Sequence, residues 1–280
     1  MRTDFWTMVK AELFMLRKRP GTWVIFGIWL AVTVAFAYAL PYFSYTSGGT
    51  DFAESFDSML PAAVPQTIAE GMPFYGGALV LILGVLTIGS EFGWGTWKTV
   101  LTQRPGRSSV FAAKMVALGI AIIPFVLAAF GIGVVSSAII ATVEDLPIVW
   151  PSAQVFIEAM LSGWLIMAVW AAAGVILAML TRGTSLAIGI GILWTLAFEG
   201  LLSAFANSIS WMEWVVDVLL RANGYSLVRA VAGTGEVSAD GPGSFSGPFV
   251  SGTQAAIVLG LYLVAFLGGS WWLLRRRDVA

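Results

Sequence analysis

The sequence contains no cysteine and no histidine. Disulfides, thiolate nucleophiles, the usual zinc sites and imidazole acid–base chemistry are therefore excluded. Charge is scarce as well. Asp, Glu, Lys and Arg make up 11% of 280 residues, against roughly a quarter in an average soluble domain. The formal net charge of −1 provides no global field for nucleic acid, so no nucleic-acid partner is expected. Nucleotide signatures are also missing. There is no G-x-x-x-x-G-K-[ST] run, and no G-x-G-x-x-G opens a helix after a strand. Gly131-Ile132-Gly133 and Gly189-Ile190-Gly191 lie inside apolar runs and read as close helix packing. The chain has no familiar means of hydrolysing ATP alone, and no catalytic residue, metal or cofactor is expected on it.

What is present resembles hydrocarbon. Hydrophobic residues make up 58% of the chain, and the mean hydropathy is +0.86. A bilayer core takes about 20 predominantly apolar residues per helix. The apolar runs here are continuous rather than alternating, which favours helices over barrel strands. Six spans are predicted, near residues 22–42, 74–90, 109–142, 155–180, 185–206 and 253–274. The predicted fold class is an all-α membrane protein, a bundle of six transmembrane helices forming one domain. In the longest run a kink is expected around Pro124 and the small residues Gly119, Gly131 and Gly133.

Segments outside the spans have character of their own. Residues 3–18 place Phe5, Val9, Leu13 and Leu16 on one side and Thr3, Thr7, Lys10 and Arg17 on another, the pattern of an interfacial helix. The apolar run that follows is too long for a signal-peptide core and is read as a retained first span. Residues 207–252 form the longest polar connection. It is predicted to hold two short amphipathic helices broken at Asn223-Gly224, followed by a Gly-, Ser- and Pro-rich loop.

Charge is distributed unevenly between the two sides of this six-span scheme. Arg2, Lys10, Arg17, Lys18, Arg19, Lys98, Arg104, Arg107, Lys114, Arg182, Arg275, Arg276 and Arg277 share one side, and only Arg221 and Arg229 fall on the other. The positive-inside rule then places both termini and residues 91–107 in the cytoplasm, with residues 207–252 outside, in a multi-pass protein of the cell membrane. Arg275-Arg276-Arg277 reads as a stop-transfer signal and an anchor for anionic membrane lipid, or as a partner contact.

The segment after the second predicted span reads Glu91-Phe92-Gly93-Trp94-Gly95-Thr96-Trp97-Lys98-Thr99-Val100-Leu101, then Arg104-Pro105-Gly106-Arg107, then Phe111 and Lys114. Trp94, Trp97 and Leu101 share one face of a short helix by their spacing. Flanked by Lys98 and Arg104, they suit either a partner's groove or an aromatic belt at headgroup level. Glu91 is placed to pair with a nearby cation such as Lys98, or to cap the helix that follows.

With these residues the chain resembles the permease subunits of ATP-binding-cassette transporters of the ABC-2 (type V) class. In that family an acidic residue ends the second span, Gly-Thr and a short helix follow, and a Pro/Arg turn leads into the third span with a further Lys. The interfacial helix, the six spans, the tight Thr181-Arg182-Gly183 link and the external helices fit as well. The resemblance implies a coupling helix docked on a separate ATPase subunit, with Glu91, Phe92, Gly93, Trp94, Gly95, Thr96, Trp97, Lys98, Leu101, Arg104, Arg107 and Arg182 in the coupling region. It further implies ATP and Mg on that partner subunit, a second copy of this chain or a related permease, and an export function.

Glu199 is an acidic residue deep in the fifth predicted span, toward its external end and close in sequence to Trp194 and Phe198. A carboxylate at that depth costs at least roughly 2.5–3.5 kcal/mol on insertion scales, so it should face protein or a wet cavity. Two roles stay open for it, a pathway or gating group and a structural hydrogen bond to a neighbouring helix. Two rival functions are weighed as well. A secondary transporter would show internal repeats and broken helices with midplane ionisable groups. A membrane-embedded enzyme would need a constellation of polar groups within the spans.

Overall fold

The computed structural model describes residues 5–48, 53–93, 95, 106–206, 213–232 and 249–276. Among these residues the regular structure is helical, with no strand. Six helical segments are long and apolar enough to cross a membrane: Pro20–Thr46, Pro61–Gly93, Arg107–Val143, Ala153–Thr181, Ser185–Leu202 and Gly252–Arg276. They are spans one to six below. The chain is an all-α, multi-pass membrane bundle.

Spans two and four are its centre. In each, 72% of the most apolar window is buried, against 28% in span one and 22% in spans five and six. The central pair packs backbone against backbone. A Cβ on Gly84 would lie 2.1 Å from the Ala171 carbonyl oxygen, and one on Gly174 would lie 2.1 Å from that of Leu81. Helices associate in lipid through such close van der Waals contact, because burial of apolar surface supplies no drive there. Of the glycines expected to pack helices, Gly133 and Gly191 do so, against Ile68 and Leu81, whereas a Cβ on Gly131 or Gly189 would meet open space.

Span two starts well before its predicted limit. A 3-10 turn at Pro61–Ala63, a helix at Val64–Glu70 and a π turn at Met72–Gly76 lead into Gly77–Gly93. Glu70, Gly71 and three prolines hide this continuation in the sequence. In the structure the prolines stand at the first positions of their turns, where no intrahelical N–H is needed. Span three runs as one α-helix through Pro124. Indole N–H groups of Trp29 and Trp164 donate to the carbonyls of Phe125 and Gly119 on either side of that proline. The irregular turns lie elsewhere, as π turns at Ala35–Ala39, Met72–Gly76 and Trp194–Phe198.

The N-terminal helix, Phe5–Lys18, packs Val9 and Leu16 against Ala113 and Ala117 of span three. Its opposite side exposes Trp6, Phe14 and Met15, as an interfacial helix requires. Between spans five and six a short helix, Glu213–Val216, precedes a longer one, Leu220–Ala232. The break falls at residues 217–219, and the longer helix continues through Asn223-Gly224, contrary to expectation. The Asn223 side chain donates back to the carbonyls of Asp217 and Leu219, both at 2.8 Å, which satisfies the entry turn. Gly224 is there for proximity, since a Cβ would come within 2.9 Å of Pro73. Residues 220–228 are all buried, packed among spans two, four and six.

Candidate functional site

Two buried polar networks stand out, one at each end of the bundle. At the cationic end, Glu91 closes span two and Lys114 lies in the second turn of span three. Both are buried, Lys114 at 1% exposure. The Lys114 ammonium donates to a Glu91 carboxylate oxygen and to Glu12 Oε1 of the N-terminal helix, the latter at 2.7 Å. Arg19, at the entry to span one, also acts electrostatically on Glu91 and donates from its guanidinium to the Leu86 carbonyl at 2.8 Å. The network therefore ties the N-terminal helix, the start of span one, the end of span two and the start of span three. Lys98, the expected partner of Glu91, lies outside the described residues, and the described partner is Lys114.

The remaining coupling candidates are placed as follows. Phe92 is half-buried against the core, while Gly93 and Gly95 are exposed, Gly95 with a positive φ of 65°. Arg107 opens span three and is exposed. Arg182 caps span four in a left-handed conformation at φ 53° and is also exposed. Its turn is held against span two, because a Cβ on Gly89 would lie 2.9–3.0 Å from Thr184 and Gly183. The structure thus brings the span-four turn beside the end of span two, two residues before Glu91. Trp94, Thr96, Trp97, Lys98, Leu101 and Arg104 lie outside the described residues.

At the other end Glu199 is fully buried. Its Oε1 accepts the Trp194 indole N–H at 2.7 Å, and its Oε2 accepts the Arg221 backbone N–H at 2.6 Å. The Leu220 amide contributes as well. The carboxylate therefore caps the N-terminus of the Leu220–Ala232 helix, where orphan amides and the helix dipole both favour an anion. Of the two roles left open for Glu199, the hydrogen-bonding one has its partners in place. Arg221, buried beside it, lies over the Phe74 ring at 4.6 Å and the Tyr225 ring at 5.7 Å. Burial pushes the Tyr225 phenol up to about 12, so it stays neutral at physiological pH.

Glu70 was assigned to a connection in the sequence, yet it sits in the helical run of span two. It accepts a hydrogen bond from Gln66 at 2.8 Å, and its charge reaches both Tyr75 and Tyr225. The i, i+4 spacing of Gln66 and Glu70, within the apolar series Val64, Ile68, Ala69 and Met72, is the signal that marks it as helical. Among the described residues no group of three or more Asp or Glu is placed to hold a metal ion.

Residues 25–280 match the family described as protein of unknown function DUF2705, and the chain belongs to that family. No curated protein matches it.

Proposed function

We propose that this DUF2705 member is the membrane-spanning subunit of an ATP-binding-cassette transporter, an exporter in which a separate ATPase subunit supplies the hydrolysis. The observation that carries the reading is the Glu12–Lys114–Glu91 network. It joins three helices at Glu91, the residue with which the candidate coupling segment Glu91–Leu101 begins in the sequence. A push on that segment, or on the interfacial helix, would reach spans two and three through a charged contact rather than dissipate in a loop. Span two is one of the two central helices, packed backbone to backbone on span four, so its tilt would move the core of the bundle. The clustering of Lys and Arg at this end supports a cytoplasmic orientation for it, in the cell membrane, where the ATPase subunit with ATP and Mg would reside. A second copy of this chain, or a related permease, would complete the pathway. The chain itself would carry no catalytic residue.

A second reading, transport driven by an ion gradient, is favoured by one observation. At the opposite end Glu199 is fully buried beside Arg221, and the charges of Glu70 and Arg221 both act on Tyr225, a grouping of ionisable side chains of the kind proton- or cation-coupled carriers use. One experiment separates the two. The chain is expressed with its candidate ATPase partner, and the complex is purified and reconstituted. Hydrolysis and retention of the partner are then measured for wild type, Trp94→Ala, Trp97→Ala and Glu91→Ala. The tryptophan variants are expected to release the ATPase subunit, each costing roughly 2 kcal/mol or more if the side chain fills a desolvated groove. Glu91→Ala is expected to keep the partner and uncouple hydrolysis from transport. Transport by the chain alone under an ion gradient, with no ATPase bound, sinks the proposal and leaves the second reading.

A further inference from the structure

On the lipid-facing side, the N-terminal helix and spans one and three enclose a groove of about 310 Å³. Leu13, Leu16, Trp23, Phe26, Pro124 and Phe125 line it with carbon, and Arg17 stands at its rim. We infer that this groove is a binding site for a single anionic phospholipid, one acyl chain lying in the groove and the phosphate held by Arg17 with Lys18 beside it.

Charge complementarity selects the occupant. Arg17 and Lys18 are exposed at the end of an interfacial helix, at the level where headgroups lie. No described carboxylate pairs with Arg17 or Lys18. The one acid on this helix, Glu12, is committed to Lys114 at 2.7 Å. Lys18 lies over the Phe14 ring at 5.6 Å, which leaves its ammonium at the surface with its stem on apolar carbon. The rim is also held in place. The Trp23 indole N–H donates to the Arg17 carbonyl at 2.7 Å, and Trp23 packs edge-on to Phe26, which packs edge-on to Phe125. The backbone that carries Arg17 is therefore fixed relative to the groove, which keeps its guanidinium within reach of the headgroup of a ligand whose apolar tail lies there. The inference is independent of the transport mechanism.

The test uses the full chain in mild detergent, titrated separately with phosphatidylglycerol and with phosphatidylcholine of the same acyl chains. Bound lipids are counted by native mass spectrometry. One phosphatidylglycerol is expected to bind more tightly than phosphatidylcholine. Arg17→Gln should weaken it about fivefold, the effect of one cation near an anionic surface. Arg17→Lys should keep the preference. Ala121→Leu, which narrows the groove, should lower the binding of both lipids. Should that variant misfold on gel filtration, the two Arg17 variants decide alone. Equal affinity for the two lipids overturns the inference. So does an unchanged preference in Arg17→Gln when the double change Arg275→Gln/Arg276→Gln abolishes it. A lipid count that stays constant while Arg17→Gln alters the monomer–dimer ratio also overturns it, since a second copy of the chain would then be the occupant.

Discussion

Replacing Lys114 with methionine keeps the length and apolar stem of the side chain and deletes one charge. Two carboxylates are then left facing each other, Glu91 at 4% exposure and Glu12 with its side chain at 14%. Removing one partner of a buried ion pair costs about 3–5 kcal/mol, because the remaining charge loses its closest counter-ion and has no water to replace it. Glu12 can turn toward solvent, which places the expected loss in the lower half of that range. For a chain of this size each kcal/mol moves the apparent Tm by about 2–4 °C, so Lys114→Met should lower it by roughly 6–16 °C. The assay is the loss of the monodisperse gel-filtration peak after heating, read by tryptophan fluorescence. The triple change Glu12→Gln/Glu91→Gln/Lys114→Met removes the desolvation penalty together with the attraction, and should recover most of the loss. Coupled hydrolysis should stay impaired in that stable triple variant, since the charged link between the helices is gone. A Lys114→Met protein within about 2 °C of wild type, less than one kcal/mol by the same scaling, refutes the reasoning. A triple variant as unstable as the single one also refutes it.

Glu199→Gln keeps one acceptor oxygen, which can serve the Arg221 amide, but sets its NH2 against the other donor, the Trp194 indole, and should cost about 1–3 kcal/mol. Glu199→Leu leaves the start of the Leu220–Ala232 helix without its cap and should open that helix to added protease in detergent; equal digestion of the two variants counts against the cap. Gly174→Ala drives a methyl group into the Leu81 carbonyl and should cost about 1–3 kcal/mol or more in thermal unfolding. Gly189→Ala meets nothing and should stay within about 0.5 kcal/mol of wild type, so similar losses in the two would mean that close approach of spans two and four is not what Gly174 provides.

The hydrophobic runs determined most of the architecture on their own, since a bilayer accepts few backbone solutions and each helical one needs a run of recognisable length. The interfacial helix was legible for a similar reason, as Val9 and Leu16 repeat at helical spacing and are the residues it buries. Sequence patterns were misleading where a residue's local preference was outweighed by its neighbours in space. Asn223-Gly224 has the composition of a break, yet it lies within a helix because Asn223 reaches back to the preceding turn and Gly224 must clear Pro73. Glu70 and the prolines around it read as a connection, although they enter span two through first-turn positions and a π turn. Partners are a stronger case still. The sequence marked Glu91 and Glu199 as carboxylates in need of company, because their burial cost depends only on residue type and depth. It had no means of choosing Lys114, 23 residues away, or the Arg221 amide, 22 residues away. Those pairings follow from how the interfacial helix, the span ends and the Leu220–Ala232 helix pack. That packing is set by backbone contacts such as Gly84 on Ala171 and Gly174 on Leu81, whose geometry exists only once the helices have met.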